Sequence, residues 1–235
     1  MQSFYKEIPR ARTKVTILAT RKLISECLKV LLQRDRELTV VDVACTNADL
    51  LNKLSKTQPD VVLICLMDDE GKNIEVISDV FKVAPQTKVV ILSGPNSSLD
   101  QPASLKLGVT GIVGTNQNVK VLVRAIRQVS EGSVWLNQKL IEHLVGGTLN
   151  GGNGKIDEYS KVGDLTTREL EVVEMVGLGL NNKEVSKKLF ISEATVRHHL
   201  SSIYGKLRVE DRLNLAIYAY QRGIVQPPEK SNAIN

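Results

Sequence analysis

The chain has 235 residues, enough for one large domain or two small ones, and its 42% hydrophobic and 24% charged residues are typical of a globular protein with a buried core. No apolar run approaches the ~18 residues that a membrane span needs, and the opening segment MQSFYKEIPRAR is unlike a signal peptide. Three cysteines without paired metal-ligand spacing favour reduced thiols in the cytoplasm, and a net charge of +5 favours an anionic partner only weakly.

Short β-rich runs alternate with helical patterns between residues 14 and 131. The runs are KVTILA (14–19), LTVVDVA (38–44), DVVLICL (60–66), KVVILS (88–93) and VTGIVG (109–114). Strands that are separated by single helices are joined by right-handed crossovers and lie parallel to one another. The pattern therefore predicts an α/β fold class for residues 14–131, with a doubly wound five-stranded parallel sheet in flavodoxin-like order.

The first helical pattern follows KVTILA directly. Its apolar residues recur with the 3.6-residue period of an amphipathic helix, at Leu23, Ile24, Cys27, Leu28, Leu31 and Leu32. We therefore expect this face to pack on the sheet, with Cys27 as a small hydrophobic member of the core. The segments LLNKLSK, IEVISDVFKVA and VKVLVRAIRQVSEG predict further helices.

Residues 132–163 are expected to connect two domains. The segment SVWLNQKLIEHLV (133–145) predicts one more helix. The segment GGTLNGGNGK (146–155) has five glycines among its residues, which is typical of a flexible linker. A second domain is then expected over residues 164–226.

Side-chain caps predict where the helices of this second domain begin. Thr166-x-x-Glu169 and Asn181-x-x-Glu184 are capping boxes, in which each side chain satisfies an unpaired amide at the helix end. Ser192 is placed to cap a third helix, EATVRHHLSSIYGKL, and a fourth, DRLNLAIYAYQRG, ends in a glycine. Such closely spaced caps predict a small all-α bundle of four helices.

The third of these helices has two contrasting faces. Its apolar stripe, which is expected to face the core, consists of Val196, Leu200, Ile203 and Leu207. The opposite face carries cations and short hydroxyls at Thr195, Arg197, His198, Ser201, Ser202 and Lys206. An α-helix fits the major groove of DNA, and with the short helix before it this one makes a helix-turn-helix. An ordinary solvated face has a similar composition, so these features alone leave both interpretations open.

The segment that begins LTTRELE and ends AIYAYQRG resembles the LuxR/NarL-type helix-turn-helix of bacterial transcription regulators. The matching motif positions are Leu165-Thr166, Arg168-Glu169, Gly179, Asn182-Lys183-Glu184, Ile191-Ser192-Glu193, Thr195-Val196, His199, Ile203, Lys206-Leu207 and Arg212. This resemblance favours a DNA-binding surface over a solvated face. It implies a sequence-specific transcription regulator that binds double-stranded DNA at a promoter or operator.

The resemblance also implies individual roles. The residues that would face the bases are Arg197, His198 and Ser201, with Ser202 on the same surface. The residues that would hold phosphates, and so fix the register without reading sequence, are Asn182, Lys183, Thr195 and Lys206. The fourth helix resembles the dimerisation helix of the family through Leu213, Ile217 and Tyr220. A homodimer of this kind would bind two half-sites of a pseudo-palindrome.

The first domain resembles the receiver of response regulators, except at the site of phosphorylation. In that family an aspartate at the end of the third strand accepts a phosphoryl group from a histidine kinase, two acids hold Mg²⁺, and a Ser/Thr and a Lys complete the site. Here the acid pair falls on Ala19 and Thr20, the phosphoacceptor on Cys65 and the lysine on Thr115, and only Ser93 matches. We therefore expect a pseudo-receiver that works without histidine-kinase phosphotransfer and without a cofactor or metal.

Several alternatives stay open beside a phosphorylation-independent regulator. The acids Asp68, Asp69 and Glu70 follow the third strand and could replace part of the missing site. Cys65 could be a redox switch if cations lowered its pKa, or the strand-end pocket could bind a ligand. The first domain could instead sequester a partner regulator, with DNA binding vestigial. An enzyme is not expected, because no set of nucleophile, base and orienting residue can be assembled.

Overall fold

The structure is a computed structural model that describes residues 12–67, 75–95, 97, 99–136, 140 and 164–225. Its strands are β1 (Thr13–Leu18), β2 (Leu38–Ala44), β3 (Val61–Leu66), β4 (Lys88–Ser93) and β5 (Gly111–Gly114). They form a parallel sheet in the order β2-β1-β3-β4-β5. The predicted fold class is confirmed, and the strand bounds lie within two residues of the apolar runs that predict them.

Helices follow each of the strands. They are α1 (Lys22–Gln33), α2 (Asn47–Thr57), α3 (Glu75–Val83), α4 (Gln101–Lys106) and α5 (Val119–Ser130). The sequence pattern does not predict α4, because six residues span less than two turns and show no periodicity. This helix starts at a local signal instead: the Asp100 carboxylate accepts a hydrogen bond from the Ala103 N–H at 3.0 Å.

The central strand is β3, and all six of its residues are buried. It pairs with β1 on one edge and with β4 on the other. A strand that is paired on both edges and covered on both faces accepts only apolar side chains, which explains the sequence VVLICL. The strand carries Cys65 to the carboxyl edge of the sheet, where sites collect in open α/β folds.

The buried face of α1 differs from the prediction. Leu23 is 72% exposed and Cys27 is exposed, so the prediction that Cys27 packs in the core is wrong. Ser25 is buried on this helix instead, because its hydroxyl donates to the carbonyl of Lys22 at 2.8 Å and therefore needs no water. The buried face of α1 therefore consists of Ser25, Leu28 and Leu32.

The helix predicted over residues 133–145 does not begin at residue 133. Trp135 forms a parallel bridge with Gly111; its N–H donates to the Thr110 carbonyl at 2.9 Å and its carbonyl accepts from the Ile112 N–H at 2.8 Å. Residues 133–136 are non-helical because they use the open edge of β5, which an edge strand offers to any neighbouring chain. Residues 137–139 and 141–163, which include the predicted glycine-rich linker, lie outside the described residues.

Residues 164–225 fold as helices around a core of their own. The helices are α6 (Thr167–Gly177), α7 (Asn182–Leu189), α8 (Glu193–Leu207) and α9 (Arg212–Gln221). All four contribute apolar residues to one cluster. The predicted stripe of α8 is confirmed as part of this core, since none of its four residues is more than 5% exposed. In the part of the chain that the structure describes, no helix has the length and hydropathy to cross a lipid bilayer.

Candidate nucleic-acid interface

The starts of α6, α7 and α8 are fixed by the caps that the sequence predicts. At α6 the Thr166 N–H donates to Glu169 Oε2 at 2.8 Å, and the Thr166 hydroxyl accepts from the Glu169 N–H at 3.2 Å. The same reciprocal box joins Asn181 and Glu184 at α7. The Ser192 hydroxyl caps α8 by accepting from the backbone N–H three residues on, at 3.0 Å. These caps set where each helix enters the bundle.

The turn between α7 and α8 is short. It passes through Phe190, whose φ of 53° is in the left-handed region and closes α7. The N–H of Ile191 then donates back to the carbonyl of Ser186 at 3.0 Å. The Phe190 side chain is 95% exposed, so the turn presents an aromatic ring to solvent directly before α8.

The face of α8 that lies opposite the core is open to solvent. Arg197, His198 and Ser201 are exposed, and Thr195 is half-buried. Among the described residues, no group forms a hydrogen bond or an ion pair with the Arg197 guanidinium. The Ser201 hydroxyl donates to the Arg197 carbonyl at 3.1 Å, which leaves its lone pairs for an outside donor. The surface therefore offers one free cation, an imidazole and a hydrogen-bond acceptor side by side.

Two residues that are predicted to contact DNA form hydrogen bonds within the domain. The Ser202 hydroxyl donates to Glu169 Oε1 at 2.7 Å, and Lys206 Nζ donates to Glu169 Oε2 at 2.7 Å. Glu169 is 4% exposed, so these contacts join α6 to α8 at a buried carboxylate, although Lys206 itself is exposed. Their geometry gives Ser202 and Lys206 a part in positioning α8, and their contact with DNA stays a prediction.

The charge of Glu169 persists at neutral pH. Burial raises the pKa of this carboxyl, but hydrogen bonds from Lys206, from the Thr166 backbone and hydroxyl, and from Ser202 lower it by more. The net result lowers the pKa of Glu169 from the usual 4.5 to about 2. The ammonium of Lys206 is therefore paired with a full negative charge, which weakens its attraction for a phosphate.

Two arginines fasten α7 to its neighbours. Arg168 of α6 donates to the carbonyl of Leu189, at the end of α7. Arg212, at the start of α9, donates to the carbonyl of Leu180 and, at 2.9 Å, to Asn182 Oδ1. The motif match marks both arginines without giving them roles. The sequence carries no signal for these contacts, because the partners are 21 to 32 residues away along the chain.

The other residues that are predicted to hold phosphates lie at helix starts. Asn182 and Lys183 are half-buried in the first turn of α7. The Thr195 hydroxyl lies in the first turn of α8, 2.9 Å from the Ser192 hydroxyl. Unpaired amides and the positive end of the helix dipole make such turns favourable for anions. Asn182, Lys183 and Thr195 thus all lie in the first turn of a helix, whereas Lys206 lies in the last turn of α8.

The residues that are predicted to form a dimer differ in exposure. Leu213 is 6% exposed and belongs to the buried side of α9, so little of it is available to a second copy. Ile217 and Tyr220 are half-buried. Burial raises the pKa of the Tyr220 hydroxyl, so it stays protonated and can donate a hydrogen bond. Of these three side chains, only Ile217 and Tyr220 are partly open to solvent, and the dimer stays a prediction.

The five positions at the predicted degenerate phosphorylation site lie at the carboxyl ends of strands. Ala19, Cys65 and Ser93 are 2%, 3% and 7% exposed, and Thr20 is exposed. The Thr115 N–H donates to the Ser93 carbonyl at 2.9 Å, which joins the end of β5 to that of β4. The topology therefore brings these side chains to one edge of the sheet, as the resemblance implies.

The loops after β3 and β4 touch through their backbones. The Gly94 N–H donates to the Leu66 carbonyl at 2.8 Å, and a Cβ on Gly94 would lie 2.3 Å from the carbonyl oxygen of Met67. Only glycine fits there. Within the described ranges, no three His, Cys, Asp or Glu side chains are grouped so as to hold a metal ion. The acids at residues 68–70 lie outside the described residues.

Known proteins match both parts of the chain. Residues 164–219 match the family described as "Bacterial regulatory proteins, luxR family". The chain is 31% identical over 216 residues to the transcriptional regulatory protein LnrK of Bacillus subtilis, and this match covers 90% of the chain and 98% of LnrK. It is 26% identical over 215 residues to the uncharacterized transcriptional regulatory protein YxjL of the same species, covering 92% of the chain and 98% of YxjL.

A solved structure has a related fold. The two-component response regulator of the LuxR family from Aurantimonas sp. SI85-9A1 superposes with a TM-score of 0.53 at 16% identity, over 59% of this chain and 99% of its own. The match to LnrK runs through the sheet and the helix-turn-helix alike, because it covers 90% of the chain. The chain therefore belongs to the LuxR/NarL family of response regulators, which bind DNA and regulate transcription.

Proposed function

We propose that this chain binds a pseudo-palindromic operator as a homodimer in the cytoplasm, and that its receiver acts without aspartyl phosphorylation. The observation that carries the proposal for DNA is the exposed face of α8, where Arg197, His198 and Ser201 lie opposite a fully buried stripe. A helix that is held in this way can enter the major groove without any loss of core packing. The half-buried Ile217 and Tyr220 of α9 support a contact between two copies.

Arg197 is expected to read a base. Its guanidinium is exposed and has no partner among the described residues, so it is free to form the bidentate pair with the O6 and N7 atoms of guanine. We predict that Arg197→Ala lowers discrimination at one position of each half-site by about 1–3 kcal/mol. Selection from random duplexes, followed by gel-shift titration of the enriched site and its single-base variants, measures this change.

Lys183→Ala is the matched control for Arg197→Ala. It removes a predicted phosphate contact, so it should weaken binding to every duplex alike. The slope of the logarithm of the binding constant against the logarithm of the salt concentration should become less steep by about 1. Equal discrimination by the wild type and Arg197→Ala would contradict the assignment of Arg197 to a base. If the wild type enriched no site at all, sequence-specific regulation itself would be ruled out.

The proposal for the receiver rests on the residues at the strand ends. Mg²⁺ takes oxygen ligands in octahedral array, including one or two carboxylates. The buried methyl of Ala19 and the buried thiol of Cys65 do not fit this ion, and Cys65 does not carry the carboxylate that accepts a phosphoryl group in the family. The burial of Cys65 also argues against direct oxidation, because reactive thiols are partly exposed and lie near positive charge.

Treatment with a small phosphodonor and Mg²⁺ should therefore leave the mass of the chain unchanged. Intact-mass spectrometry detects an added phosphoryl group directly, and a LuxR-family response regulator with an aspartate at this position is the positive control. Stoichiometric phosphorylation of this chain would contradict the proposal. In that case the acids at residues 68–70 would be the first candidates for the modified group.

A further inference from the structure

We infer that Arg212 is a positioning residue for DNA binding, which holds the side-chain amide of Asn182 with its N–H donors turned toward a backbone phosphate. The inference rests on the proposed DNA-binding function and deepens it. It assigns a role to a residue that lies behind the predicted interface and need not touch DNA itself.

The contact between the two side chains fixes which end of the amide is free. Arg212 Nη1 donates to Asn182 Oδ1 at 2.9 Å, and Nη2 donates to the carbonyl of Leu180. A guanidinium carries only donors, so it can bond the oxygen of the amide and not its nitrogen. Among the described residues, Asn182 Nδ2 has no partner. The group that remains for an outside partner is thus a donor, which suits a phosphate oxygen.

Without Arg212, the amide of Asn182 would have two orientations of similar energy. In one of them Oδ1 would face the phosphate and repel it, since both groups are acceptors. A second hydrogen bond, from Arg212 to Leu180, holds the guanidinium itself in place. Arg212 thereby orders the amide before DNA arrives, and pre-ordering of this kind raises affinity without a new contact.

The charge of Arg212 supports the same conclusion. Burial lowers the pKa of the guanidinium, and the nearby Tyr204 and Glu184 partly offset this effect. In the described part of the chain, no carboxylate lies within ion-pair distance of Arg212, whose hydrogen-bond partners are both neutral. A half-buried cation beside the positive end of α7 is unfavourable in the free protein. A phosphate bound at Asn182 would add a second negative charge to that of Glu184 near this guanidinium.

A purely structural role is the competing explanation, because Arg212 also ties α9 to α7. Arg168 provides the matched control. It is another arginine that fastens α7, through the carbonyl of Leu189, and it contacts no residue that is predicted to bind DNA. Loss of either arginine should loosen the bundle, but only loss of Arg212 should act through Asn182.

The test is a double-mutant cycle in the full chain. Arg212→Met, Asn182→Ala and the double variant are titrated with a mixed-sequence DNA duplex at low ionic strength, where phosphate contacts dominate. We expect each single change to weaken binding by about 3- to 10-fold and the double variant to be no weaker than the worse single one. Arg168→Met combined with Asn182→Ala should instead give the product of the two separate effects. Circular dichroism checks folding, and the Asn182→Asp variant tests the inference by itself if Arg212→Met does not fold.

Asn182→Asp gives a readout that a structural role would not produce. The new carboxylate still accepts the hydrogen bond from Arg212 and adds an opposite charge to it. The melting temperature should therefore be equal to or above that of the wild type. DNA binding should nevertheless fall below that of Asn182→Ala, because the carboxylate faces a phosphate. Additive effects of Arg212→Met and Asn182→Ala, or unchanged binding by Asn182→Asp, would overturn the inference. No binding by the wild type would instead overturn the proposed function.

Discussion

Replacement of Glu169 by glutamine is expected to destabilise the bundle of residues 164–225 by about 1.5–3 kcal/mol, the range for hydrogen bonds to charged groups. Glutamine keeps the shape of the side chain and can still serve in the capping box with Thr166. It removes the charge that is paired with Lys206, and one acceptor oxygen becomes a donor. Ser202 and Lys206 each donate to a different oxygen at 2.7 Å. The new –NH2 group therefore either faces the ammonium of Lys206, which can only donate, or makes the Ser202 hydroxyl give up its donated bond and accept instead. The site is 4% exposed, so water cannot easily replace the lost contact.

Amide hydrogen exchange of α8 in the full chain measures this loss locally, without interference from the sheet. Glu171→Gln is the control on the same helix. Glu171 pairs with Arg168 at 2.7 Å, but its side chain is 43% exposed, and surface pairs of this kind contribute at most about 1 kcal/mol. Equal protection of α8 in both variants would show that Glu169 does not hold α8 to α6.

The stability that Glu169 provides should also depend on pH in one direction. The pKa of Glu169 is lowered in the folded chain. Its contribution to the free energy of unfolding is therefore complete at pH values above 4.5, the pKa in the unfolded chain, and is lost as the pH falls toward about 2. Unfolding by urea at successive pH values should therefore show the wild type and Glu169→Gln converging below pH 4.5. A constant difference down to the lowest pH would contradict the ionised, hydrogen-bonded state of Glu169.

Elements with strong local signals could be predicted from the sequence. The apolar runs locate the strands, because a parallel strand buried on both faces tolerates no polar residue. The capping boxes at Thr166 and Asn181 locate the starts of α6 and α7, since caps act within one turn. The stripe through Leu200 locates the buried side of α8 for the same reason: its period is a property of the helix alone.

Features that the apolar pattern does not encode could not be predicted in this way. Ser25 is buried in α1 because its hydroxyl is satisfied by its own helix, whereas the apolar pattern places Cys27 there. Trp135 leaves its helical pattern because the edge of β5 is open. The pairing of Lys206 with Glu169 spans 37 residues, so the sequence pattern does not show that this residue of the polar face is paired within the domain. The same is true of Ser202, so the sequence does not show that both residues already have partners within the domain.

The packing of α6 against α9 depends on a glycine. Gly177 is the last residue of α6 and is buried, and a Cβ at this position would lie 2.9 Å from the Cβ of Ala219 and 2.6 Å from Val225 Cγ2. Ala219 and Val225 are themselves buried, at 0% and 5% exposed, so neither can move into solvent. Gly205 lies within α8 and is exposed, and a Cβ there would meet nothing within 4 Å. The glycines in α6 and α8 thus have opposite surroundings.

The same substitution should therefore have opposite effects at these two positions. Gly177→Ala is expected to destabilise the bundle by about 1–3 kcal/mol, because an extra methyl forces α6 and α9 apart in a close-packed core. Gly205→Ala is expected to stabilise it by about 0.5–1 kcal/mol, because alanine loses less backbone entropy in a helix and meets no neighbour. Amide hydrogen exchange of α8 and α9 in the full chain measures both changes. If Gly177→Ala proved as stable as Gly205→Ala, helix propensity would determine the effect of both substitutions. The close approach of α6 to α9 would then contribute nothing to stability, because α9 could shift to make room for the methyl group.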